Sequence, residues 1–214
     1  MSPSQIILVA PSILLALTIH EFAHAYTAHR LGDPTARLLG RLTLNHLKHL
    51  DPLGTLMLFV ANFGWAKPVP VNPQYFRDPK RDMLLVALAG PVSNLILAFI
   101  FGLVLRFVSL EPSTLSETAF TILKMLRYSL FINLVLAFFN LIPIPPLDGS
   151  KILRSLLPDA MLAPYARFET YGPFVLLGLI VLGRLTEISI FWMLIGPFVQ
   201  FFAGLFAGNS SGLI

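Results

Sequence analysis

The stretch Ser12-Ile-Leu-Leu-Ala-Leu-Thr-Ile-His20-Glu21-Phe22-Ala23-His24-Ala-Tyr-Thr-Ala-His29 decides how this chain is read. It belongs to an apolar run long enough to cross a bilayer, yet it carries a carboxylate between two imidazoles. From Met1 to His29, histidines aside, Glu21 is the only acidic or basic side chain. A spanning helix needs about 20 mostly apolar residues. A carboxylate held inside one costs on the order of 3 kcal/mol, so Glu21 is a functional candidate by default. On a helix, positions i and i+4 share a face one turn apart. His20 and His24 can therefore reach one divalent ion, with Glu21 beside them to take a proton from water on that ion.

The rest of the chain suits a membrane. Hydrophobic residues make up 56% of its 214 positions and charged residues 12%, with mean hydropathy +0.76. A water-facing domain carries about a quarter charged residues. Disorder, nucleic-acid binding and an ordinary cytosolic enzyme are thereby excluded as leading readings. The excess of 15 Lys and Arg over 11 Asp and Glu marks cytoplasmic loops rather than a polyanionic partner. There is no cysteine, so any metal must be held by His, Asp or Glu.

Outward from the first span, the pattern predicts an all-α polytopic membrane protein. It forms a single embedded domain over 1–214, with about five to six transmembrane helices and a re-entrant extended hairpin after the first. Spans are expected near 5–29, 83–107, 121–142, 168–184 and 188–208. The fourth is the weakest, because its uncharged part, Thr170 to Gly183, is shorter than a hydrocarbon core of about 30 Å. It either borrows Tyr165 to Glu169 or pairs with the fifth as a re-entrant hairpin. The segment 53–72 is too short to cross and is punctuated by Gly54, Gly64, Pro68 and Pro70. It reads as re-entrant or interfacial, extended over Trp65 to Val71, because residues preceding proline are pushed out of helical geometry. Such backbone survives at membrane depth only where protein or a water-filled cavity shelters it. No cleavable signal peptide is expected, since Met1 to Gln5 holds no basic residue. Basic residues in 30–82 and 147–168 place both connections on the cytoplasmic side. The expected location is the cytoplasmic membrane, with the active site nearer the cytoplasmic face.

A zinc site needs a third protein ligand and an open position. A helix-extended HExxHxxGxxH arrangement fails, because positions 27 and 30 are Thr27 and Arg30. A downstream Glu fails too, since none occurs between Glu21 and Glu111. His29 is out of phase with His20. His46 and His49 lie in a basic loop and read as surface or membrane-interface residues. The strongest third ligand is Asp148, in Asn140-Leu-Ile-Pro-Ile-Pro-Pro-Leu-Asp148-Gly149. The prolines forbid a regular helix, and Gly149 permits a tight turn. Alone, Asp148 would read as the cap of a helix over 151–157; two imidazoles in want of an oxygen favour ligation. The topology agrees: His20 lies about 15 Å inside the cytoplasmic end of its span, and Asp148 follows the third span at that same face.

Taken together, these residues resemble the site-2 protease family of intramembrane zinc metalloproteases, in the compact branch without appended sensing domains. His20 to His24 matches the family's HExxH. Asn140 to Gly149 is similar to its Asn-Pro-Asp-Gly region, although Leu141 stands where the family has Pro. Gly90-Pro-Val-Ser-Asn94 looks like its Gly-xxx-Asn element, and Gly64 to Asn72 is similar to its re-entrant hairpin. The resemblance implies one zinc ion on His20, His24 and Asp148, with Glu21 as general base and proton donor. It implies Asn94, and Asn140 beside it, as substrate-binding or oxyanion residues. It also implies a transmembrane protein substrate, unwound locally and paired with the extended segment at Lys67 to Val71. The partners expected are that substrate and the lipid bilayer, with no nucleic acid. Competing classes are a membrane zinc transporter, which the HExxH pattern disfavours because transport needs no general base, and a non-catalytic membrane partner, which the presence of all the expected catalytic side chains disfavours.

Overall fold

The computed structural model of the chain describes residues 3–61, 64–107, 116–187 and 189–208. Its helices are α1 (Pro3–Arg30), α2 (Thr35–Leu38), α3 (Pro52–Ala61), α4 (Pro79–Phe107), α5 (Glu117–Asn140), α6 (Asp148–Leu156), α7 (Asp159–Thr186) and α8 (Ile190–Ala207). Among the described residues, five helices are long and apolar enough to cross a membrane: α1, α4, α5, α7 and α8. Helix starts follow side-chain chemistry. Ser116 accepts a hydrogen bond from Ala119 N–H at the head of α5, satisfying a donor that has no partner within the helix.

Helices α1, α4 and α5 pack against one another, α8 lies against α4 and α5, and the short α6 sits against α4. The core between them is apolar and closely packed, with Ala98, Leu130, Leu134, Val199 and Ala203 fully buried. Small residues allow this approach, as elsewhere between membrane helices. A side chain on Gly102 would come within 2.5 Å of Phe206 Cβ.

The fourth span is a single helix. With 28 residues it is about 42 Å long, so it incorporates Tyr165 to Glu169 and does not fold back with α8. Ile188, placed at the start of the fifth span, lies outside the described residues.

The expected extended hairpin is corrected. Its first half is the helix α3, which begins with Pro52 at a position where a missing N–H costs nothing. Asp51 caps it, accepting from Gly54 N–H at 2.8 Å. After residues 62–63, which lie outside the described residues, residues 64–72 run extended apart from one isolated antiparallel bridge between Leu50 and Ala66. Pro68 and Pro70 bring no N–H, so a longer ladder has no donors. The segment is held by single bonds instead. Lys67 N–H donates to His49 O at 2.8 Å, Arg41 Nη2 donates to Lys67 O at 2.6 Å, and Asn72 N–H donates to Asp33 Oδ2 at 2.7 Å.

Two further expectations are corrected here. His49 is not a surface residue. It is 1% exposed, and its Nε2 donates to Thr43 O at 2.8 Å, because the loop folds back under the extended segment. The helix after the third span begins at Asp148 itself rather than at 151.

Candidate metal centre

Three elements bring the site together. Helix α1 supplies His20 and His24 one turn apart, and α6 supplies Asp148 in its first turn. Helix α4 passes so close that a side chain on Gly90 would come within 2.4 Å of His24 Nε2 and 2.6 Å of His20 Nε2. The two imidazoles meet edge to face, with ring centroids 4.7 Å apart. His20 Nε2 lies 3.0 Å from Asp148 Oδ2, His24 Nε2 lies 3.1 Å from the same oxygen, and the two Nε2 atoms are 3.0 Å apart. Zinc bonds of 2.0–2.2 Å in a tetrahedron give ligand-to-ligand edges of about 3.3 Å, close to this triangle. All three residues are buried.

The partners on the far side of each ring say what fills the triangle. His24 Nδ1 lies 2.7 Å from Val86 O. A backbone carbonyl only accepts, so Nδ1 carries the hydrogen. His20 Nδ1 lies 2.6 Å from Asn94 Oδ1. The Asn94 amide nitrogen donates to Ala16 O at 3.1 Å and to Asn133 Oδ1 at 2.9 Å, so its oxygen is what faces His20. Both Nδ1 atoms are thus donors, and both Nε2 atoms turn lone pairs toward an aspartate oxygen. With the hydrogens on Nδ1, the identity and spacing of these three atoms fit a divalent cation.

Glu21 is buried beside the triangle, and its Oε2 accepts from Val69 N–H at 3.0 Å. The extended segment therefore runs directly past this carboxylate. One turn before Glu21 on α1, Thr18 Oγ1 lies 2.6 Å from His46 Nδ1. The loop between α2 and α3 thus reaches into the span two residues before His20.

The model of Peptidase family M50 matches residues 109–183, the part of the chain that carries Asp148. YwhC of Bacillus subtilis (strain 168), a candidate zinc metalloprotease, is 46% identical over 171 residues, covering 79% of this chain and 78% of its own. The chain belongs to peptidase family M50. Another candidate zinc metalloprotease, Rip2 of Mycobacterium tuberculosis (strain ATCC 35801 / TMC 107 / Erdman), is 34% identical over 181 residues, covering 79% of this chain and 66% of its own. Zinc metalloprotease MJ0392 of Methanocaldococcus jannaschii is 28% identical over 145 residues, 68% of this chain and 33% of its own. No solved structure matches the chain.

In this M50 peptidase the structure brings His20, His24 and Asp148 to one point and sets Glu21 and Asn94 against them. The Asn140 amide nitrogen donates to Leu136 O of its own helix at 3.0 Å. Asn94 has both N–H groups and its oxygen engaged within the protein. Gly90 and Asn133 were not singled out for what they do here. Gly90 was visible only as part of a motif, and Asn133 had no signal beyond being an amide inside an apolar helix.

Proposed function

We propose that this chain hydrolyses peptide bonds within or beside transmembrane segments of membrane proteins, using one zinc ion held by His20, His24 and Asp148. Family membership makes it a zinc metalloprotease. The observation that carries the residue assignment is the meeting of two imidazole Nε2 atoms and one carboxylate oxygen within 3.1 Å. A zinc ion held by these three residues would lower the pKa of bound water to about 7 and polarise a carbonyl.

The side chains supply the rest. Glu21 takes the proton of the attacking water and passes it to the leaving amine, a role that needs a carboxylate beside the ligands but not among them. Asn94, with its donors spent on Ala16 and Asn133, holds the His20 ring rather than the substrate. The substrate helix unwinds locally, because its own hydrogen bonds shield the carbonyl under attack. Its freed strand lies along residues 67–71, the segment that touches Glu21 through Val69, in the manner of strand addition. The basic residues of 30–82 and 147–168 set this site toward the cytoplasmic face of the cell membrane.

Glu21→Gln is the direct test. Zinc content stays at the wild-type level and cleavage of a transmembrane substrate panel falls by about 10²- to 10⁴-fold. Full cleavage by Glu21→Gln removes the base from the mechanism. Placing charged residues at Val69 and Val71 together lowers cleavage with zinc retained; wild-type rates from that variant reject the strand pairing.

A further inference from the structure

We infer that Asn133, on α5, is a positioning residue for the metal ligand His20, acting through Asn94 to keep the ring hydrogen on Nδ1 and the Nε2 lone pair on the metal. The inference rests on the zinc assignment proposed above.

The geometry forces a direction on each bond. Asn133 Nδ2 donates to Ser129 O at 2.8 Å. That carbonyl accepts only, so the Asn133 amide cannot turn round without losing it. Asn133 Oδ1 is therefore the end that meets Asn94 Nδ2, at 2.9 Å. The second Asn94 N–H is spent on Ala16 O at 3.1 Å. Nothing but its oxygen remains for His20 Nδ1, 2.6 Å away. Two backbone carbonyls, one on α1 and one on α5, thus decide through two amides which nitrogen of the ring is protonated.

Both amides are 0% exposed, among helices α1, α4 and α5. A buried N–H left without a partner is costly. If Asn94 turned, its oxygen would face Ala16 O and Asn133 Oδ1, and its N–H groups would face the ring. Asn133 is one of the two acceptors that forbid this. Without it, the orientation of Asn94 depends on Ala16 O alone, and the ring loses a fixed tautomer. Groups that orient a ligating histidine are typically worth 10- to 100-fold in metal affinity.

The bland alternative is that Asn133 only joins helices, as amides in membranes often do. Ser12 provides the control. Its hydroxyl lies 2.8 Å from Ser129 Oγ and likewise ties α1 to α5, but it stands outside the line that reaches His20.

The test is competition for zinc between a chelator and the purified full chain in detergent, with the imidazole ¹⁵N shifts of His20 read alongside. Asn133→Leu is expected to lose about tenfold in zinc affinity and to show His20 as a mixture of tautomers. Asn133→Asp, in the neutral form that an apolar site imposes, donates to Ser129 O and accepts from Asn94, and is expected to stay within about threefold of wild type. Ser12→Ala keeps wild-type affinity. If Asn133→Leu does not fold, Asn133→Ser, whose hydroxyl is too short to span the gap, carries the same tenfold expectation. Wild-type zinc affinity and a single Nδ1–H tautomer in the Leu or Ser variant, with only the melting temperature lowered, overturns the inference while the zinc assignment stands. Equal zinc affinity in wild type and His24→Ala overturns both.

Discussion

Helices α1 and α7 have the same mean hydropathy over their candidate spans, 1.4, yet 44% of the first and 11% of the second is buried in the protein. Hydropathy counts carbon and does not see neighbours. In α1 several polar residues are turned inward, and Ser12, Thr18, His20, Glu21 and His24 are buried there, with partners on α4, α5, α6 or the segments on either side of α3. In α7 many large apolar side chains face outward, with Tyr171, Phe174, Leu177 and Leu185 exposed, where lipid supplies the contact. Two helices that look equally at home in a bilayer therefore do different work: one is enclosed by protein around a reaction centre, and the other borders the bundle.

The contrast predicts a graded series of effects. The largest is at Gly90. A methyl there overlaps both ligating nitrogens, so Gly90→Ala is expected to lose at least about tenfold in zinc affinity and to bring cleavage to background, as metal analysis and a substrate assay would read. Next comes the apolar packing. Leu134 is 0% exposed and Leu177 is 55% exposed. Leu134→Ala should cost about 2–5 kcal/mol, whereas Leu177→Ala should cost less than about 1 kcal/mol, compared by unfolding in one detergent. The smallest effect is at Gly178, where an added Cβ meets nothing within 4 Å. Gly178→Ala should leave zinc and cleavage unaltered and stabilise α7 by at most about 1 kcal/mol. A Gly178 variant as damaging as the Gly90 one would mean that α7 is not the peripheral helix described here.

The meeting of His20, His24 and Asp148 could be read in the sequence because each depends on a local rule. Helical spacing puts His20 and His24 on one face, and Asp148 follows a span that ends at the same membrane face. Features that depend on how one helix crosses another were out of reach. The clearance that Gly90 provides, and the route from Asn133 to His20, exist only because α4 packs against α1 and α5 at one particular rotation. The fourth span was legible in kind but not in length. Its apolar run stops at the charges Arg167 and Glu169, yet Glu169 pairs with Arg154 of α6, so the helix continues through them. Helix α3 was obscured by Gly54 and by the prolines that follow it. Its cap at Asp51 was the available clue. His49 looked exposed because its neighbours in sequence are basic; the fold, not the neighbours, buries it.

The bond between Val69 and Glu21 also sets the polarity of the segment beside the centre. Over residues 67–70, Lys67 N–H is taken by His49 O, Val69 N–H is taken by the carboxylate, and the two prolines have none to give. A visiting backbone can be met along this stretch only by carbonyl oxygens. The visitor must bring the donors, and a proline in it at that register would find nothing to hold.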